Sequence, residues 1–187
     1  MHQWVKGLGV LFTVSAVLGC GGSSGGGSPT SLPPSTKLMT LTPAQQMQLC
    51  TDLTNYAVNN ISKANACKFA GVFAASFILA SDPSTPDASL QSACSQAVSQ
   101  CNSSPPDTSG STCDFSGVST CTADATIADF NACAKDTVSV ENTAFGSLPA
   151  CSAVTAAWLN ANPDPTGGVS EPATCASLDA KCPDVSM

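Results

Sequence analysis

A chain of 187 residues is long enough for one domain of ordinary size, and a formal charge of −7 makes it acidic. It holds six lysines, no arginine and one histidine, His2. That excludes a nucleic-acid binder, which must neutralise phosphates, and leaves Ser-His-Asp or Cys-His catalysis without its base. Eleven cysteines point to disulfides and therefore to an oxidising compartment.

The first predicted element is an apolar run of 11 residues over 8–18, preceded by Lys6. It suits a secretory h-region and is too short to span a bilayer, which takes roughly 20 apolar residues. The run closes in Val17-Leu18-Gly19-Cys20, followed by Gly-Gly-Ser-Ser-Gly-Gly-Gly-Ser over 21–28. An aliphatic residue and then Leu-Gly-Cys at the end of such a run resembles the lipobox of bacterial lipoproteins. The resemblance implies a signal peptide at 1–19, cleavage before Cys20 and acylation of Cys20, so that the N-terminal lipid attaches the chain to a membrane. The family retains proteins at the inner membrane when Asp follows the lipidated Cys. Gly21 stands there, which implies an outer-membrane location, facing the periplasm or the cell surface.

Residues 20–37 are expected to be the lipidated Cys and a disordered Gly/Ser/Pro tether, reaching about 23 Å as a flexible coil. Once residues 1–19 are removed, five lysines face 13 acidic residues, a net charge of 5 − 13 = −8. Such a surface has little attraction for anionic headgroups, so the lipid is what holds the protein to the membrane.

The body, 38–187, reads as a Cys-rich, all-α domain: a disulfide-reinforced bundle of five or six helices. Thr42-Pro43-Ala44-Gln45 carries a capping box with Pro at the first helical position, and Leu49, Cys50, Leu53, Tyr56, Ala57 and Ile61 follow as one stripe. Residues 66–80, apolar nearly all round, predict a buried central helix. Thr85-Pro86-Asp87 starts a third helix, with Leu90, Ala93, Cys94, Ala97, Val98 and Cys101 on one face. Ile127, Phe130, Cys133, Ala134, Val138 and Phe145 form a fourth stripe, expected to begin near Thr122 or Asp124. Shorter helices are expected over 149–161, with Val154 and Trp158, and over 172–182, with Leu178. Polar, Pro- and Gly-rich segments at 81–84, 102–119 and 162–170 read as loops.

If Cys20 carries lipid, Cys50, Cys67, Cys94, Cys101, Cys113, Cys121, Cys133, Cys151, Cys175 and Cys182 remain, an even ten and enough for five disulfides. Cys94 and Cys101, like Cys175 and Cys182, are seven residues apart on one predicted helix. A rise of about 10 Å separates each pair, beyond the roughly 7 Å that a disulfide tolerates. Loop closure then favours Cys101 with Cys113 and, more weakly, Cys151 with Cys175; the other six cysteines are left open among 15 arrangements.

Chemistry is sparse. No Cys-x-x-Cys occurs and no histidine follows Cys20, so neither a metal nor a cofactor is expected. Asn162-Pro163-Asp164-Pro165-Thr166-Gly167 has calcium-loop spacing, but Ala173 stands where a bidentate Glu is required, and the segment reads as a turn. Asp124, Asp129, Asp136 and Glu141 read as a solvated acidic face, and Tyr56 and Trp158 as core. Cys121-Thr122-Ala123-Asp124, Asn131-Ala132-Cys133, Pro172-Ala173-Thr174-Cys175-Ala176-Ser177-Leu178 and Cys182-Pro183 are similar to segments of uncharacterised Cys-rich lipoproteins of Gram-negative bacteria, a resemblance that implies no activity. The expected role is a non-enzymatic binding or structural module meeting an envelope protein or cell-wall component, with no nucleic acid. A hydrolase using paired carboxylates, or an exported inhibitor of a hydrolase, is the alternative.

Overall fold

Thr42 starts the first helix as its sequence predicts: its N–H donates to Gln45 Oε1 at 3.0 Å, and its Oγ1 accepts the Gln45 N–H at 3.3 Å. With Pro43 in the first turn, where no N–H is needed, this fixes α1 at Pro43–Asn60. The computed structural model describes residues 27–104, 113, 115–164 and 170–185. After α1 come α2 (Lys63–Ser81), α3 (Asp87–Ser103), α4 (Ile127–Ser147), α5 (Ala156–Ala161) and α6 (Ala173–Lys181), with 3-10 turns at Leu38–Thr40, Ser116–Thr120 and Cys151–Ala153. Among the described residues there is no strand, only one antiparallel bridge between Lys37 and Thr126. The described residues form an all-α fold, a bundle of six helices reinforced by disulfides.

Two hydrophobic cores divide the molecule. The first gathers Leu38, Leu49, Ile127, Phe130, Leu178 and Cys182 where α1, the first half of α4 and α6 meet. The second gathers Val72, Ala75, Leu79, Leu90, Val154 and Leu159 between the α2–α3 hairpin and the 149–161 segment. α4 runs from one to the other: its Phe130 and Cys133 lie in the first core, and Leu148, just past its end, lies in the second. In the hairpin the helices pack tightly at Gly71, where an added Cβ would stand 2.6 Å from Val98 Cγ2 and 2.9 Å from the Cys94 carbonyl oxygen.

The ten body cysteines form five bridges: Cys50–Cys113, Cys67–Cys101, Cys94–Cys151, Cys121–Cys182 and Cys133–Cys175, with Cα separations from 4.1 to 5.8 Å. Both expected local pairings are corrected. Cys101 bonds Cys67 and leaves Cys113 to Cys50; Cys151 bonds Cys94 and leaves Cys175 to Cys133. The reason is packing. A cysteine on a buried helical stripe faces the neighbouring helix, so each bridge closes an inter-element contact, and the shortest spans 34 residues of sequence. As the helical rise requires, neither Cys94 with Cys101 nor Cys175 with Cys182 is bonded.

Other expectations shift as well. The tether is not free through Lys37: from Ser28 onward the chain lies on the domain, which therefore begins about ten residues earlier than the expected boundary at 38. α4 starts at Ile127, after the Thr126 N–H and hydroxyl both bond the Asp129 carboxylate at 2.9 and 2.8 Å. The 149–161 segment is a 3-10 turn followed by the short α5, with Val154 buried between them. α2 is not buried all round. One face holds Cys67, Val72, Ala75 and Leu79, while Phe73, Phe77 and Ile78 are 43%, 68% and 37% exposed. By length and composition α2 could cross a membrane, but its Cys67 and Gly71 are committed to α3.

Candidate functional site

Cys20, the expected signal peptide and the first part of the expected tether lie outside the described residues. What the structure adds is the strap that follows, from Ser28 to Lys37. Ser28 Oγ accepts from Asn131 Nδ2 at 3.0 Å, and Thr30 is buried. Asp52 Oδ2 of α1 receives the Thr30 hydroxyl at 3.0 Å and the Ser31 N–H and hydroxyl at 2.8 Å each. Burial works against ionising Asp52, but the Ser31, Gln48 and Thr30 donors outweigh it and hold the carboxyl below its usual range. Farther on, the Pro34 and Thr36 carbonyls accept the Ala128 and Ile127 N–H groups at 2.9 Å each. The strap thus caps the start of α4, satisfying donors a helix cannot pair internally. Asn131 Oδ1 is buried beside it without a partner among the described residues.

The four candidate carboxylates do not act as one set. Lys181 Nζ of α6 holds Asp129 at 2.9 Å and Asp124 at 3.8 Å, a clamp that fastens α6 to the start of α4. Burial opposes ionisation of Asp129, yet Lys181 and Thr126 together lower its pKa; the hydrogen bond to Asp129 raises that of Lys181. Asp136 accepts the Thr174 hydroxyl at 2.7 Å. Glu141 departs from the solvated-face expectation. It is half-buried, no hydrogen bond or ion pair reaches it among the described residues, and burial pushes its pKa up to about 7. Its nearest carboxyl on α4, Asp136, is five residues back, about 140° around the helix, so the two face different ways.

A different pair of carboxyls does meet, on the surface. Glu171, ahead of α6, hydrogen-bonds Asp179; its pKa is raised by burial first and then by that bond and charge. Trp158 packs half-buried against the second core, and Tyr56 is half-buried on α1. Among the described residues, no three His, Cys, Asp or Glu side chains converge as a metal site. Part of the calcium-like segment lies outside the described residues.

The surface feature that periodicity alone missed is the outward side of α2. Phe69 stacks on Phe145 of α4 at 4.6 Å between centroids, and Phe73 stands 6.0 Å from Phe69. Phe77, four residues farther, is the most exposed of the three. The stripe therefore runs from the α2–α4 contact into solvent. It ends far from the strap: Asn131, which holds Ser28, is about 16 Å along α4 from Asn142, and Phe77 is about 18 Å along α2 from Asn65, which bonds Asn142. No protein-family model matches the chain, and no curated protein and no solved structure matches it.

Proposed function

We propose that this is an exported envelope protein, lipid-anchored through Cys20 at the outer membrane, whose helical domain is a non-enzymatic binding or structural module. The observation that carries the reading is cysteine arithmetic: five bridges take ten of the eleven cysteines, and the one left is the Cys of the lipobox-like motif. Five cross-links also suit an oxidising compartment and a rigid scaffold. Because the strap is docked, the eight residue steps from Cys20 to Ser28 set the separation of lipid and domain at no more than about 28 Å, their extended length. The domain then stands close to its membrane, strap end inward and the tip of α2 outward.

Mass spectrometry of the mature protein is expected to find acyl chains on Cys20 and no residue before it, and Cys20→Ser is expected to move the protein from the membrane to the soluble fraction. Retention of the Cys20→Ser chain in the membrane would refute the anchor. The hydrolase reading draws support from Glu141, whose pKa near neutrality suits an acid or base. Against it, the nearest carboxyl on α4, Asp136, faces elsewhere, so α4 itself does not supply the pair such a mechanism requires about 5–9.5 Å apart.

A further inference from the structure

We infer that the outward face of α2 is the seat of a second copy of this chain, the two helices packed antiparallel about a two-fold axis level with Ala75. Three observations converge on that occupant. The first is spacing. Ala70, Phe73, Phe77 and Ala80 recur at intervals of three, four and three residues, the apolar seam by which one helix packs lengthwise on another. Phe73 and Phe77 on that seam are 43% and 68% exposed, so no described residue covers them.

The second observation is the order of residues along the seam, which reads the same from either end. Phe73 stands two residues before Ala75 and Phe77 two after; Ala70 stands five before and Ala80 five after. A two-fold contact is self-complementary, so residue i of one copy meets residue j of the other and the reverse. One axis therefore sets Phe73 over the second copy's Phe77, and Ala70 over its Ala80, with no shift in register.

The third is charge. The chain without its signal peptide carries −8, so two copies repel wherever their acidic surfaces meet, yet 69–81 contains no charged residue. The ends of α2 differ in sign. Lys63 and Lys68 lie at its start, with their ammonium groups on the carbonyls of Asn102, Ser104 and Gly146; Asp82 and Asp87 flank the turn at its far end. Parallel pairing would bring the two acidic tips together. Antiparallel pairing sets each tip beside the lysine end of the other copy.

The test uses the full processed chain with Cys20→Ser, so it does not depend on lipidation and can fail while the anchor stands. Sedimentation and light scattering up to about 100 µM are expected to show a concentration-dependent dimer, a range in which a micromolar contact saturates. Phe77→Glu, on an exposed position, is expected to leave helicity and the five bridges intact and reduce the mass to one copy. Asp82→Lys is expected to weaken the dimer by about two- to fivefold, an exposed charge pair's worth. A wild-type chain that stays monomeric, or a Phe77→Glu chain that stays dimeric, overturns the proposal. Tightening on Asp82→Lys would overturn the antiparallel arrangement. Phe77-dependent binding of a monomeric chain to phosphatidylcholine vesicles would assign the face to lipid instead.

Discussion

Glu141 is the residue at which the balance between burial and ionisation is most visible. A carboxyl whose folded pKa is raised from 4.5 to about 7 favours folding in its protonated form. Its contribution is complete below the unfolded value and is lost as pH rises through about 7, a change on the order of 3 kcal/mol. Asp52 and Asp129 act in the opposite sense: their lowered values give stability that is present above the ordinary carboxylate range and lost as pH falls. Stability is therefore expected to be highest near about pH 5 and to decline toward pH 8. Glu141→Gln, followed by urea unfolding at both pH values, is expected to leave stability near pH 5 almost unchanged and raise it at pH 8. A wild-type midpoint that is flat between those values would show that Glu141 is ionised in the fold at little cost. The position was legible in part. Glu141 falls three residues after Val138 and four before Phe145, on the apolar stripe itself, and grouping it with the solvated acids followed residue type where spacing pointed the other way.

At the scale of elements, the start of α1 is legible from local residues and the bridges, which depend on a partner helix, are not. The start of α4 is just as local, but its Thr126–Asp129 box competes with Thr122 and Asp124 as starting points. Thr42-Pro43-Ala44-Gln45 fixed the start of α1 because its capping bonds lie within four residues. The α2–α3 pairing involves residues far apart, yet it follows from the turn. Cys67 and Cys101 lie equally far from residue 84, and Gly71 and Val98 nearly so, the register of an antiparallel hairpin. A reading that aligned the two helices before closing any loop would have found that bridge. The same register makes Gly71 sensitive. Gly71→Ala recovers about 1 kcal/mol of helix propensity but forces a methyl into the Val98 and Cys94 contact, and such overpacking costs about 1–3 kcal/mol. Gly71→Val, bulkier and β-branched, is expected to cost more than Gly71→Ala, each lowering the urea midpoint. Improved stability on Gly71→Ala would mean that α2 and α3 can move apart freely.

For the whole molecule, the bridges bind two small cores into one body. Cys94–Cys151 closes the second core, Cys121–Cys182 and Cys133–Cys175 tie α6 and the turn before α4 into the first, and Cys67–Cys101 fastens the base of the hairpin. In each of these four, at least one cysteine is fully buried or nearly so: Cys67, Cys94 and Cys133 at 0% and Cys182 at 1% exposure. Cys50–Cys113 differs. Cys113 is exposed and Cys50 half-buried, so a thiolate can approach this bridge without opening a core. Reduction rates depend on that access. Under limiting reductant, alkylation and peptide mapping are expected to find Cys50 and Cys113 labelled first, with the other eight protected until the cores open. The span of 63 residues makes the loss costly even so, about 4 kcal/mol by loop-closure entropy, and the singly reduced protein should unfold at a clearly lower urea concentration. Simultaneous labelling of all ten cysteines would mean that the five bridges stand or fall together, with the two cores behaving as one cooperative unit.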